Sequence, residues 1–175
     1  MDLSLIFQYA LIGAMLSQID AIVDRGKRGG EFAAILLSVV CALLIVRLTV
    51  QDPSSALIFA GIILGVVIGG KVDALPYLIG AVIAGGGLLY ALLYRNFMML
   101  LPLSISLAFA GFVDEYGHDR IPQIRDHLMK WFFAKRFTLK FAVFFVAYLG
   151  LVSFSHFIAF LAFDIAYELN SGRKD

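Results

Sequence analysis

The chain has 175 residues, of which 61% are hydrophobic and only 15% are charged. Soluble domains have a charged fraction near about 25%, so this composition and the mean hydropathy of +0.91 predict a polytopic integral membrane protein. The net charge of +1 provides no strongly basic surface, and a nucleic-acid partner is therefore not expected. The single cysteine, Cys41, excludes an internal disulfide.

Six apolar segments approach the length of a membrane-spanning helix, which needs about 20 residues. In chain order they cover residues 3–19, 32–50, 55–70, 76–93, 97–113 and 141–163. The third and fourth are separated only by a short break around Lys71 and Asp73, where a tight hairpin is preferred over a discontinuous helix inside the membrane. We therefore predict an all-α fold of six transmembrane helices in three hairpins. One integral membrane domain covers residues 1–169, and residues 170–175 form a short polar tail.

The connection between the fifth and sixth segments predicts a short interfacial helix. After Pro122, which is favoured at the start of a helix, Ile124, Leu128, Trp131 and Phe132 recur at helical spacing. Such a helix would place Trp131 at the level of the lipid headgroups. A cytoplasmic extension of the sixth helix is the alternative.

The distribution of basic residues predicts the orientation. Ten of the 14 lysine and arginine residues fall in the loops after the first, third and fifth helices. The positive-inside rule places these loops in the cytoplasm, in a cell or cytoplasmic membrane, and both termini outside. Arg28, Lys135 and Arg136 are attributed to this topology alone.

Three helices end in a similar Ile/Val-Asp-Ala/Glu sequence, which contains Asp20, Asp73 and Asp114. A carboxylate at the C-terminal end of a helix is disfavoured by about 0.3–1 kcal/mol, so a cation, a proton or a basic side chain must compensate. We predict a shared site for Mg²⁺ or Mn²⁺ at these cytoplasmic ends, with Asp24 and Asp119 as further ligands.

The densest group of polar residues covers positions 114–120. If the helix continues, Glu115 and His118 share a face at i, i+3 spacing, and we predict that both are catalytic. The ordinary pKa of histidine suits His118 to act as a general acid or base. Lys71, Arg120 and Arg25 are predicted to bind phosphate. An ordinary charged loop is the alternative.

The third and fourth helices are rich in small residues. Gly61, Gly65 and Gly69 form a stripe on the third helix, and the fourth offers a comparable surface that includes Gly85, Gly86 and Gly87. Small residues allow close helix approach, so we expect these two helices to pack on each other or to form a homo-oligomer.

The predicted sixth helix carries further polar residues. His156 falls near its middle, where an ionisable side chain indicates either a functional site or an interhelical hydrogen bond. Asp164 and Glu168 are predicted to lie at the end opposite the three aspartates.

No P-loop, HExxH or CxxC motif is present. Asp20-x-x-x-Asp24 resembles only a fragment of the Asp-rich diphosphate-binding motifs of membrane prenyltransferases, and no family is assigned. The sequence favours a metal-dependent enzyme, a transferase or hydrolase, that acts on a membrane lipid phosphate or diphosphate. A cation or proton-coupled transporter that uses the same carboxylates is the alternative, and a non-catalytic subunit of a membrane complex is the third hypothesis.

Overall fold

The computed structural model describes residues 2–25, 30–95 and 97–171. Within these ranges the chain forms eight α-helices and no strand. The helices are α1 (Leu3–Arg25), α2 (Gly30–Gln51), α3 (Pro53–Ile68), α4 (Leu75–Tyr94), α5 (Leu101–Asp119), α6 (His127–Ala134), α7 (Phe137–Tyr148) and α8 (Phe154–Ser171).

Three of the described helices are long and apolar enough to cross a membrane. They are α1, α2 and α4, whose qualifying segments are Leu3–Asp24, Gly30–Gln51 and Leu75–Tyr94. The apolar helices α3 and α7 are shorter, with 16 and 12 residues. The structure therefore agrees with an integral membrane protein, but the predicted arrangement of six spans in three hairpins is not confirmed.

Helix packing differs from the predicted hairpins. The most extensive contacts join α1 to α8, α2 to α4 and α3 to α5, whereas α3 and α4 touch much less. A Cβ atom added at Gly61 would lie 2.5 Å from the Cβ atom of Leu107 on α5, and one at Gly65 would lie 3.2 Å from the Cα atom of Gly111. The expectation that the glycine stripe of α3 packs on α4 was wrong, because α5 covers it.

The small residues of α4 contact α2 instead. A Cβ atom added at Gly87 would overlap the side chain of Val46 on α2. Gly86 is exposed, so an oligomer interface on α4 stays a prediction, whereas the stripe on α3 is already buried within the chain.

The predicted sixth helix is two helices, α7 and α8, separated by a turn at residues 149–153. Gly150 has a φ of 73°, a left-handed conformation that glycine adopts without steric penalty. The backbone N–H groups of Gly150 and Leu151 donate to the carbonyls of Ala147 and Val146, which ends α7 in a Schellman-type turn. A single glycine in a long apolar segment gave no sign of this reversal.

The reversal makes α8 run parallel to α1. Gly13 of α1 contacts the backbone of Phe163 on α8, and further along both helices Asp20 contacts Tyr167. The helices α1, α5 and α8 therefore end together at what we call the polar end of the bundle, and α1 and α8 begin at the opposite end. The prediction that both termini lie outside is not confirmed, because the described chain begins and finishes at different ends.

A short separate helix between the fifth and sixth segments is confirmed as α6, but it begins at His127 and leaves Ile124 outside in an extended conformation. Its position at the membrane interface stays a prediction. Asp126 begins the helix by accepting hydrogen bonds from the backbone N–H groups of Leu128 and Met129. Leu128 and Trp131 are exposed, as an interfacial helix requires. A Cβ atom added at Gly117 would overlap the ring of Phe133, so α6 lies directly against the end of α5.

Candidate functional site

Asp20 lies at the polar end, where it accepts hydrogen bonds from two tyrosines. The hydroxyl of Tyr77 on α4 donates to one carboxylate oxygen over 2.7 Å, and that of Tyr167 on α8 donates to the other. Helix α1 continues to Arg25, so Asp20 is not at its end. These hydroxyls stabilise the carboxylate where a metal ion was expected to do so.

Arg136 connects Asp20 to α5. It lies between α6 and α7 in a left-handed conformation with a φ of 48°. Its guanidinium group is 3.1 Å from a carboxylate oxygen of Glu115 and 5.5 Å from the ring centre of Tyr167. We call Asp20, Tyr77, Glu115, Arg136 and Tyr167 the Arg136 network. Burial lowers the pKa of Arg136, but the Glu115 carboxylate and Tyr167 outweigh it, so that the pKa is raised overall.

Asp114 is bound by backbone N–H groups rather than by side chains. The residue is 2% exposed, and its carboxylate oxygens accept hydrogen bonds from the backbone N–H groups of Thr138 and Leu139 at 2.9 and 2.7 Å. These groups belong to the first turn of α7, whose N–H groups have no partner within the helix. Asp114 therefore caps α7 from α5, and the positive end of the α7 dipole compensates its charge.

An exposed polar surface lies beside this network. Lys71, in the turn after α3, contacts Asp119 at the end of α5, with 2.6 Å between Nζ and Oδ1. His118 is exposed, and the Arg120 guanidinium lies 4.0 Å from the ring centre of Tyr116. We call Lys71, Tyr116, His118, Asp119 and Arg120 the Lys71 patch. The hydrogen bond from Lys71 lowers the pKa of Asp119.

The remaining predicted site residues, Asp73, Asp24 and Arg25, belong to neither of these two groups. Asp73 is exposed in the turn between α3 and α4 rather than at a helix end, because α3 ends at Ile68. Asp24 is exposed near the end of α1 and lies close enough to Tyr77 to interact electrostatically. The side chain of Arg25 is outside the described part of the chain. Among the described residues, no three histidine, cysteine, aspartate or glutamate side chains lie close enough together to hold a metal ion.

Ion pairs join α8 to the start of α7 and to the turn before it. Lys140 lies 2.7 Å from Asp164, and Lys135 lies 2.6 Å from Glu168. Lys140 also lies 3.6 Å from Glu168. The placement of both acids at the opposite end was wrong, because the turn at Gly150 returns α8 to the polar end. Lys135 and Arg136, which the sequence explained by topology alone, both have acidic partners.

Tyr77, Tyr167 and Arg136 are the polar-end residues that sequence reasoning missed. One signal was available, since Tyr167 follows Asp164 by three residues and so shares its helix face. That face could be connected to Asp20 only after α8 was known to run parallel to α1.

A second polar group lies at the opposite end. His156 is in the first turn of α8 rather than in the middle of a span. Its Nε2 atom is 2.7 Å from a carboxylate oxygen of Asp52, and its Nδ1 atom is 2.7 Å from the hydroxyl of Ser153. Burial raises the pKa of Asp52, but the hydrogen bonds from His156 and Ser55 outweigh it and lower the pKa overall.

Comparison with known protein families, with curated proteins and with solved structures finds no match to this chain. Its function is therefore inferred from the side chains at the two ends of the bundle.

Proposed function

We propose that this integral membrane protein binds and processes the phosphate or diphosphate group of a membrane lipid at the polar end of its bundle. The contact between Lys71 and Asp119 carries the proposal, because it joins the turn after α3 to the end of α5. Exposed His118 and Arg120 adjoin Asp119 in sequence. Two segments far apart in the chain thus form one surface with two cations, a carboxylate and an imidazole.

Each side chain of this surface suits one part of the reaction. Lys71 and Arg120 would bind phosphate oxygens through charge-assisted hydrogen bonds. His118 would donate or accept a proton, because its imidazole is exposed to water and histidine is the side chain that enzymes use most often as a general acid or base. The ion pair of Lys71 with Asp119 is exposed on both sides, so Lys71 can exchange Asp119 for a phosphate at little cost.

Mg²⁺ or Mn²⁺ would accompany the phosphate and neutralise its charge. Of the predicted ligands, Asp24, Asp73 and Asp119 are exposed, whereas Asp20 and Asp114 are held inside the protein by hydrogen bonds to both oxygens. Both oxygens of Asp119 accept from Lys71, and they would become free for a cation when Lys71 binds the phosphate. A divalent ion bound jointly by a phosphate and the exposed acids would not require three protein ligands.

The position of α6 supports a lipid as the source of the phosphate. Gly117 and Phe133 bring α6 against the end of α5, next to the Lys71 patch. The exposed Leu128 and Trp131 of α6 are side chains of the kind that enter the headgroup region. A headgroup held at that depth would lie beside Lys71 and Arg120.

The exposure of Asp73 favours a surface site over transport. A carboxylate in an ion pathway is expected inside the membrane, facing other helices or a water-filled cavity. Asp73 is instead in an exposed turn beside Lys71.

The test measures binding and turnover in lipid nanodiscs of phosphatidylcholine. Phosphatidic acid and a polyprenyl diphosphate are added, and bound lipid and released phosphate are measured with Mg²⁺ present. Lys71→Gln combined with Arg120→Gln should weaken binding about 100-fold or more, since each of the two lost charge-assisted bonds is worth roughly 1.5–3 kcal/mol. His118→Ala should abolish phosphate release while binding persists. Arg95→Gln, at the opposite end of α4, is the matched control.

A separate measurement tests the metal. Mg²⁺ or Mn²⁺ at about 100 times its Kd adds roughly 2.7 kcal/mol to native stability and should raise the melting temperature of protein loaded with the phosphate lipid. Asp73→Asn and Asp119→Asn should reduce this rise, and Asp2→Asn at the start of α1 should not. Equal lipid binding by the Lys71/Arg120 double variant and the wild type would overturn the proposal.

A further inference from the structure

Three side chains at the opposite end of the bundle form an arrangement found in hydrolases. The hydroxyl of Ser153, the imidazole of His156 and the carboxylate of Asp52 are connected by two hydrogen bonds of 2.7 Å each. Ser153 and His156 come from the start of α8, and Asp52 lies 104 positions before His156, between α2 and α3. A local helix cap would explain the contact of Ser153 with His156, but it would not explain the contact with Asp52.

The carboxylate of Asp52 determines which ring nitrogen of His156 carries the proton. Ionised Asp52 can only accept hydrogen bonds, so in neutral His156 the proton lies on Nε2. Nδ1 then presents its lone pair to the hydroxyl of Ser153, as a general base must do for a serine nucleophile. The ring is 12% exposed, which restricts access of water to the base while Ser153 itself stays exposed.

Asp52 is itself held firmly. Its Oδ2 atom accepts a hydrogen bond of 2.6 Å from the backbone N–H of Ser55 and so caps α3. The hydroxyl of Ser55 in turn accepts one from the buried Tyr9, over 3.0 Å. These bonds fix the carboxylate that orients the imidazole, which is the support that a catalytic group needs.

The surroundings of Ser153 are suited to a lipid. Leu149 and Leu151 of the turn that carries Ser153, and Phe154 at the start of α8, are all large exposed apolar side chains. Helix α8 begins at the next residue, and the N–H groups of a first helical turn can donate to a developing oxyanion. An acyl chain could lie along the apolar residues with its ester group at the hydroxyl.

We propose that Ser153, His156 and Asp52 form a serine hydrolase site for acyl esters of membrane lipids, at the end of the bundle opposite the phosphate site. The Oγ atom of Ser153 attacks the ester carbonyl carbon and its proton passes to Nδ1 of His156. The bond to the leaving alcohol breaks, and the alcohol takes that proton. Water then attacks the acyl-serine, its proton passes through Nδ1 to Oγ, and the free acid leaves. Ser153 and His156 are the catalytic residues, and Asp52 is a positioning residue.

A fluorophosphonate probe tests the nucleophile directly, because it phosphonylates activated serines. In the detergent-solubilised protein we expect labelling to map to Ser153 and to disappear in Ser153→Ala. The neighbouring Ser155→Ala is the matched control and should be labelled at the rate of the wild type. His156→Ala should lower the labelling rate about 100-fold or more, the usual contribution of a general base. If His156→Ala does not fold, His156→Gln is used as the histidine variant in its place.

Asp52→Asn separates positioning from a purely structural role. Asparagine caps helices as well as aspartate does, so α3 keeps its cap, and the melting temperature at neutral pH should fall only by the share that the charge of the carboxylate contributes. The maximal labelling rate should still fall, with unchanged probe affinity, because the amide does not hold the tautomer that the carboxylate selects. Labelling at another residue, no labelling at all, or wild-type rates in both histidine variants would overturn the proposal.

Discussion

Lys140 of α7 and Asp164 of α8 form an ion pair of 2.7 Å, in which the two side chains are only 12% and 16% exposed. Lys140 lies in the first turn of α7, and Asp164 lies in the second half of α8. The pair therefore links the two ends of one antiparallel hairpin at the polar end. An unpaired charge inside a lipid bilayer costs free energy, and the ion pair lowers this cost for both residues.

Replacing one partner of this ion pair should destabilise the protein more than replacing both partners. Lys140→Met leaves the largely buried carboxylate of Asp164 without its cation and should cost about 3–5 kcal/mol. Asp164→Leu should cost less, because Lys140 also lies 3.6 Å from a carboxylate oxygen of Glu168. The double substitution should recover much of the loss caused by Lys140→Met. Thermal unfolding of the four proteins in one detergent gives the coupling energy. Additive losses from the two single substitutions would contradict the pairing.

Asp114 should be required for the attachment of α7. Asp114→Ala removes both capping bonds and leaves two part-buried N–H groups without partners, so we expect a loss of about 2 kcal/mol. Asp126→Ala is the control, because Asp126 caps the exposed helix α6 with the same kind of bond. It should lower the global melting temperature less. If the two variants lower the melting temperature equally, the cap on α7 contributes no more to global stability than the cap on α6.

The sequence predicted the class of the fold and part of the site for identifiable reasons. Apolar length and composition predict α1, α2 and α4, because burial in lipid depends on the whole segment. The cluster around His118 was recognised because its residues are adjacent, and its relation to Lys71 is now visible as a contact with Asp119. The metal-binding and catalytic roles stay predictions.

The missing parts depend on contacts between distant segments. Asp114 belongs to the predicted aspartate cluster, but its partners are backbone groups at residues 138 and 139, which carry no side-chain signal. Gly150 decides between one helix and two, and a glycine inside an apolar segment is also compatible with a continuous membrane helix. Without that turn, His156 is read as a mid-membrane residue and its contact with Asp52 cannot be foreseen.

The contribution of Asp52 to stability should depend on pH. Hydrogen bonds from His156 and Ser55 lower its pKa in the folded protein. Its stabilisation is therefore fully present above the unfolded value of about 3.9 and is lost as the pH falls through the lower folded value. The melting temperature of the wild type should exceed that of Asp52→Ala by more at pH 5 than at pH 3. A difference that is the same at both values, or larger at pH 3, would contradict the lowered pKa.

The parallel course of α1 and α8 makes a topological prediction that differs from the one drawn from the sequence. Gln123, after α5, and Leu169, near the end of α8, are exposed at the polar end, whereas Gln51 is exposed where α2 ends at the opposite end. In a Cys41→Ala background, cysteines at positions 123 and 169 should react with an impermeant thiol reagent from the same side of the membrane, and a cysteine at position 51 from the other. Under the positive-inside rule the shared side is the cytoplasm. If positions 123 and 169 are labelled from different sides, the segment after Phe137 crosses the membrane once, as the six-helix prediction requires. Such a crossing would place Asp164 and Lys140 far apart and would contradict their ion pair.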